Sequence, residues 1–216
     1  MSETKNEVNV MLDLETLGTA PGCVIVSIGA VFFNPEAGTV NDMNTFYRSL
    51  DIDSCLRTGL TVDGGTLKWW MAQSDQVRGE VKSTEGPGLS EVLHDFYAWV
   101  LGHHSSPTVK QVLMWGKGPA FDCAILRAAY EKANCSRWLP WEPDRGNRCH
   151  RTLVKMFPEI PEPDRGGNTA HNALGDAIHQ ARHNVAIHQY LKARLKDWRE
   201  ASASRGIIQT PASHAL

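Results

Sequence analysis

No stretch of this sequence is apolar enough to span a membrane. The longest apolar run, near Val24 to Phe33, is broken by Ser27 and Gly29. It falls short of the ~20 consecutive apolar residues that a spanning helix requires. Residues Met1 to Asn6 are short and polar, without the apolar core of a secretory signal, so a soluble, non-secreted protein is expected. Cysteine is sparse. Cys23, Cys55, Cys123, Cys135 and Cys149 are scattered, odd in number and nowhere spaced CxxC. That argues against a disulfide framework and a cysteine zinc site, and fits a reducing cytoplasm. Neither sign of charge prevails: 22 Lys and Arg face 24 Asp and Glu, a net charge of -2. A broad basic field of the kind that holds nucleic acid by phosphate contacts alone is therefore lacking. An enzyme that grips its substrate through metal ions needs less of one. There is no internal repeat and no linker that divides the chain.

What is present is an ordinary globular composition, 42% hydrophobic and 21% charged over 216 residues. This is enough for one domain with a core that needs no staple. Residues 8–198 are expected to form it, between an N-terminal tail (1–7) and a C-terminal tail (199–216). Val8 to Leu14, Cys23 to Phe33 and Thr39 to Leu50 read as strands. The turn Asn34 to Gly38 suggests an antiparallel meander. From Thr66, a plausible N-cap, Leu67, Trp70 and Met71 follow helical spacing. Ser74 to Lys82 reads as a short helix, and Leu89, Val92, Leu93, Phe96, Tyr97 and Val100 form an amphipathic stripe. Val109 to Trp115 reads as a strand. Pro119 suits the first position of a helix over Ala120 to Ala133. Residues 134–168 read as irregular surface loop around one helix, Arg151 to Phe157. Ala170 to Trp198 is the longest helix, and Gly206 to Leu216 a frayed end. This order gives a mixed sheet with helices packed on it.

Three places carry chemistry. Asp13 and Glu15 alternate on the first strand, so they share a face. Two carboxylates side by side on a buried strand raise each other's pKa unless a cation lies between them, and hard oxygen donors suit Mg²⁺ or Mn²⁺. The plainer alternative is a strand end with both groups in solvent. Asp122, in Trp115-Gly116-Lys117-Gly118-Pro119-Ala120-Phe121-Asp122, stands in the first turns of a helix, where the dipole alone accounts for a negative charge. His171 and Asp176, in His171-Asn172-Ala173-Leu174-Gly175-Asp176, lie on different sides of a helix. They converge only if His171 sits ahead of the first turn, on the loop that Arg165-Gly166-Gly167-Asn168 supplies. Asp176 flanks the stripe of Leu174, Ala177, Ala181 and Val185.

An Asp-x-Glu on the first strand, a Phe-Asp opening a middle helix and a His-x₄-Asp opening the last long helix, in that order, resemble the DnaQ-like (DEDDh) family of 3′–5′ exonucleases over residues 8–195. Trp69-Trp70-Met71-Ala72-Gln73-Ser74 with Arg78, and Trp115-Gly116-Lys117-Gly118, resemble a phage and prophage subgroup labelled exodeoxyribonuclease VIII-like, itself related to a bacterial exoribonuclease domain. The resemblance implies an α/β, ribonuclease H-like mixed sheet, an antiparallel meander followed by parallel strands, flanked by helices. It implies that Asp13, Glu15, Asp122 and Asp176 bind two divalent ions, Mg²⁺ or Mn²⁺, with Asp13 bridging, and that His171 deprotonates the attacking water. Thr16, Leu17 and Gly18 would then meet the last sugar with backbone amides and an apolar wedge. Trp69 or Trp70 would stack on a base, Trp70 being the nearer, with Gln73 on the same face. Phe121 would pack beneath the scissile nucleotide or into the core.

The implied reaction is release of nucleoside 5′-monophosphates from a 3′ end. The phage likeness favours DNA, single-stranded or the 3′ ends of duplex, with RNA as the alternative. Relatives are often dimers, so a homodimer is an expectation. The implied setting is the cytoplasm of a bacterium or a phage-infected host. Two rivals stand beside this reading: a ribonuclease H-type endonuclease, and a non-catalytic nucleic-acid-binding module. Asp176, His179 and His183 share one side of the last helix in a zinc-like spacing. His179 lies opposite the apolar stripe, however, and a solvated face is the expectation. Cys123 reads as a buried structural thiol. Arg182, Lys192, Arg194, Lys196, Arg199 and Arg205 read as a basic face that either solubilises the helix, the preferred reading, or helps hold nucleic acid.

Overall fold

The computed structural model describes residues 7–82, 86–102, 111–166 and 171–205. Expectations for Met1 to Asn6, Val109, the 167–170 part of the glycine loop and the Gly206 to Leu216 tail lie outside those residues.

Five strands form one mixed sheet in the order β3-β2-β1-β4-β5. β1 (Glu7–Thr16), β2 (Ile25–Asn34) and β3 (Thr39–Ser49) are the expected antiparallel meander. β4 (Gln111–Gly116) runs parallel to β1, and β5 (Asn147–Cys149) runs parallel to β4. The first strand is thus central, paired on both edges. Its two faces separate by the period of two that a strand imposes. Val10, Leu12 and Leu14 enter the larger core, with Phe96, Ile125, Leu126 and Trp70. Met11 enters the smaller one, with Leu113, Trp115, Ala177 and Ala181. Asp13 and Glu15 continue the Met11 face toward the strand's end.

The helices are α1 (Ile52–Arg57), α2 (Gly64–Met71), α3 (Asp75–Lys82), α4 (Leu89–Gly102), α5 (Asp122–Lys132), α6 (Pro143–Gly146), α7 (His150–Met156) and α8 (Ala173–Ser204). The expected stripe of α4 is buried at Leu89, Val92, Leu93, Phe96 and Val100, while Tyr97 is half-buried. α2 begins earlier than its apolar spacing suggests. Its N-cap is Asp63, whose carboxylate accepts the Thr66 N–H at 2.8 Å, so Thr66 is inside the helix. Pro119 lies in the turn before α5 rather than within it, and Phe121 is the N-cap. α8 reaches Ser204, six residues past Trp198. The stretch 134–166 is more ordered than its Pro, Gly and Arg content suggests. It holds a 3₁₀ turn (Ser136–Trp138), α6, β5 and α7.

One contact fixes α8 on the sheet. Asp13 and Gly29 are direct cross-strand partners, so they face the same side. A Cβ at Gly29 would lie 2.2 Å from the Ala173 carbonyl carbon and 2.2 Å from the Leu174 nitrogen. Glycine here lets the first turn of α8 lie directly on β2, beside the rung that carries Asp13.

Candidate active site at the end of the central strand

Asp13 and Glu15 are buried, 9% and 8% exposed, at the end of β1. Asp122 is 3% exposed at the start of α5. Its place depends on Gly116, where a Cβ would fall 2.8 Å from Asp122 Oδ2. That close approach explains the small residue in Trp115-Gly116-Lys117-Gly118. Asp176 occupies the first turn of α8, which Asn172 caps by accepting the Gly175 N–H at 2.9 Å. His171 precedes the cap with φ +66°. This left-handed backbone turns its N–H back onto Asp176 Oδ2 at 3.0 Å. The sequence expectation that His171 must sit ahead of the first turn is met in this way. Glu15, His171 and Asp176 each offer a ligand atom within 4.8 Å of the others.

The electrostatics follow from crowding. Burial, and then the neighbouring carboxylates of Asp122, Glu15 and Asp176, push the Asp13 carboxyl well above its usual range. Burial pushes Asp122 up to about 6, against backbone N–H groups of Gly118, Asp122, Leu14 and Lys117 that pull it down. Asp13 thus feels the other three acids, and the four come from three elements, β1, α5 and α8. An all-carboxylate set flanked by one imidazole, desolvated and self-repelling, is the donor chemistry that a hard divalent cation satisfies. The residues present fit such an ion.

Gln180 and Arg165, to which the motif reading gave no role, and Trp69, which it placed second to Trp70, complete the pocket. Gln180, one turn beyond Asp176 and 4% exposed, donates its side-chain N–H to Asp13 Oδ1 at 2.7 Å. Its i+4 spacing from Asp176 was a readable signal. Arg165 donates Nη1 to Asp176 Oδ1 in a close ion pair. Trp69, 41% exposed, meets the His171 ring edge to face at 5.0 Å between centroids.

This last contact reverses the expected order of the tryptophans. Trp70 is 3% exposed, and its indole N–H donates to the Thr16 carbonyl at 2.9 Å. It props the strand end from the core, and its ring has no free face for a base. The neighbouring expectations change for similar reasons. Leu17 is 3% exposed in the main core, and its N–H is bonded to Val24 O, so it offers neither wedge nor free amide. Thr16 is buried, with its hydroxyl donating to Gly18 O at 2.7 Å, and Gly18 is buried against Cys23. Gln73 donates its side-chain amide to the Trp69 carbonyl at 3.0 Å, a local bond that closes the end of α2. Phe121 is half-buried and packs on the main core.

The two α8 histidines of the zinc-like spacing are not solvated. His179 and His183 are 6% and 1% exposed. The segment taken for surface loop covers them. His183 Nε2 lies 3.2 Å from Ile160 O, the His183 ring meets that of His150 at 5.5 Å, and His179 Nε2 is 3.5 Å from Glu162. Among the described residues the metal-capable group is the one at Glu15, His171 and Asp176; these imidazoles do not converge in that manner. Cys123 is buried, and burial raises its thiol, in keeping with a structural role. On the basic face, Arg182 pairs with Asp42 and Lys192 bonds Glu36 O, while Lys196 pairs with Glu200 in the exposed part of α8. Among the described residues no helix is long and apolar enough to cross a membrane.

Similar folds occur among solved nucleases. The nuclease domain of 3′hExo, a DEDDh family member bound to rAMP, aligns with a TM-score of 0.56 at 13% identity, covering 88% of this chain and 94% of that one. Cell-death related nuclease 4 (CRN-4) gives 0.52 at 10% identity, over 88% of this chain and 66% of that one. A full-length 3′-exonuclease gives 0.50 at 12% identity, over 84% and 81%. At such identities the likeness is one of fold, the ribonuclease H-like fold of DEDDh exonucleases. No curated protein matches the chain in sequence. A family model does, over residues 8–188, and it spans every element from β1 into the middle of α8. The chain belongs to the Rv2179c-like family of 3′–5′ exoribonuclease domains.

Proposed function

We propose that this protein is a divalent-metal-dependent 3′–5′ exoribonuclease that removes nucleoside 5′-monophosphates one at a time from RNA 3′ ends. The observation that carries the reading is the gathering of Asp13, Glu15, Asp122 and Asp176 around one pocket, with His171 within ligand distance of two of them. The phage-like residues that favoured DNA gain no support from the comparisons. The matched family is one of exoribonucleases, and the 3′hExo domain holds a ribonucleotide, so RNA is the better supported substrate.

The four carboxylates would hold two Mg²⁺ or Mn²⁺ ions. Such ions, when bound, supply the positive charge that stabilises the attacking and leaving oxygens of an in-line displacement. The chain's own groups do the rest. The His171 imidazole accepts the proton of the attacking water, the role that histidine fills most often among general bases. Asp176, by accepting the His171 backbone N–H, holds that residue at the rim of the pocket. Gln180 holds one oxygen of the Asp13 carboxylate by its hydrogen bond and so restrains that side chain. Trp69 offers its exposed face to the terminal base; such stacking is worth roughly 1–3 kcal/mol and tolerates any sequence.

The test is digestion of 3′-labelled and 5′-labelled single- and double-stranded RNA and DNA with Mg²⁺ or Mn²⁺. A labelled mononucleotide released first from 3′-labelled RNA, and a descending ladder from 5′-labelled RNA, are expected. Cutting of circular RNA would instead establish an endonuclease, and binding without turnover a non-catalytic module. A preference for DNA ends would restore the alternative substrate.

A further inference from the structure

Asp176 is a proposed metal ligand with partners on both carboxylate oxygens. Oδ2 takes the His171 N–H, a bond built into the start of α8. Oδ1 takes Arg165 Nη1. The second partner is of a different kind. Arg165 belongs to residues 161–165, which have no regular secondary structure, and precedes Gly166 at φ +61°. Its side chain is 33% exposed, whereas that of Asp176 is 15% exposed. A long, partly solvated cation from an irregular segment therefore occupies one oxygen of a site meant for cations.

We propose that Arg165 is an exchangeable counter-charge. It neutralises Asp176 when the pocket is empty of metal, yields that oxygen when divalent cations enter, and then pairs with the phosphate of the 3′-terminal nucleotide. The proposal rests on the exonuclease reading above. Charge counting leads to it. Four carboxylates carry four negative charges and two divalent cations carry four positive ones, so the loaded pocket is neutral. The phosphodiester brings one further negative charge, and more accumulates on its oxygens during displacement. A guanidinium released beside Asp176 meets that excess. It stays ionised at cellular pH, and its planar fork matches two phosphate oxygens. Because Asp176 lies with Glu15 and His171 within 4.8 Å, the Arg165 head already stands at the pocket's wall. Only its side chain needs to turn.

A static clamp between the 161–165 segment and α8 would use the same ion pair, but it predicts the opposite sign for metal affinity. Three forms distinguish the two: the wild-type chain, Arg165→Gln and Arg165→Lys. Mn²⁺ binding is titrated by electron paramagnetic resonance without nucleotide, and binding of adenosine 5′-monophosphate by calorimetry in Ca²⁺. Thermal unfolding confirms that each variant is folded. Losing one charge-assisted hydrogen bond corresponds to about ten-fold in affinity. Arg165→Gln should therefore bind Mn²⁺ about ten-fold more tightly and the nucleotide about ten-fold more weakly, with Arg165→Lys between it and wild type on both. Unchanged or weaker Mn²⁺ binding by Arg165→Gln makes the pair a clamp and overturns the proposal. Tighter Mn²⁺ binding with unaltered nucleotide affinity overturns it equally, since the phosphate role is then absent. Failure of the wild-type chain to bind Mn²⁺ at all is a separate result, which overturns the reading of the site itself.

Discussion

Two buried polar clusters touch α8 within two turns of each other, and they are electrostatic opposites. Around Asp176 lie the carboxylates of Asp13, Glu15 and Asp122; burial, and then repulsion from the other acids, raises the Asp13 carboxyl, and burial raises that of Asp122. Around His183 lie His150 and, one turn back, His179. There burial, with the charges that His183 and Lys117 would add, holds the His150 imidazole down at about 4. The acids are ionisable groups forced together at a strand end, and they call for a cation or a proton. The imidazoles pack against one another and beneath α7 and the segment through Glu162, and they leave no like charge to be compensated as the acids do. Potential ligand residues alone do not make a metal centre. The charge they leave uncompensated does.

Breaking each cluster in turn should sharpen that contrast. The largest effect is expected from Asp13→Asn, which removes the most strongly perturbed carboxylate and should cost about a thousand-fold or more in RNA hydrolysis. His150→Gln should leave the rate within about two-fold, because His150 packs against His183 beneath α7 and is not in the carboxylate group. Single-turnover digestion of labelled RNA measures both. His171→Ala should come next, with a loss of roughly 10²–10⁴-fold, as for removal of a general base, while Mn²⁺ binding persists. A variant of near-normal turnover would remove this imidazole from the reaction. Gly29→Ala should act through the fold. Forcing a methyl against the α8 backbone should cost on the order of 3 kcal/mol, seen as a lower urea midpoint, with activity lost in parallel.

The smallest effect is in pH, where the clusters should pull in opposite directions in metal-free protein. His150 titrates lower when folded than when unfolded. Its contribution is complete above about 6.5 and is lost as pH falls toward about 4. Asp122 titrates higher when folded, so its contribution is complete below its ordinary 3.8 and is lost as pH rises through about 6. Shifts of a few degrees in melting temperature are expected, by analogy with ~1 kcal/mol changes. His150→Gln should flatten the acid limb. Asp122→Asn, or added Mn²⁺, should flatten the limb near pH 6. A divalent ion that stabilises equally at pH 5 and pH 8 would contradict this assignment.

Much of the site was legible because its residues sit at element ends with strong local signals. Asp13 and Glu15 follow the alternation of β1, and His171 and Asp176 bracket a helix start that Asn172 caps. What escaped was tertiary. β5 is three half-buried residues, Asn147, Arg148 and Cys149, without an apolar run. Only the exposed edge of β4 makes it a strand. Because β5 was unseen, and the helix at Arg151 to Phe157 was read as part of a surface loop, the histidine side of α8 was read as wet. Trp69 and Trp70 differ by 100° on α2, and spacing says that they part company but not which one turns inward. The Thr16 carbonyl, waiting for an indole N–H, settles it. Gln180 and Arg165 act on single carboxylate oxygens, a relation that composition does not encode.

The left-handed backbone of His171 has a further consequence. For any residue but glycine this conformation costs about 1 kcal/mol, which the bond to Asp176 and the contact with Trp69 offset. Glycine adopts it freely. The turn and the ring are thus separable: a chain shortened to hydrogen at this one point would keep its shape and lose only its proton acceptor. The gap beside Trp69 would then be the size and polarity of a free azole, and a dissolved base could stand in for the missing side chain.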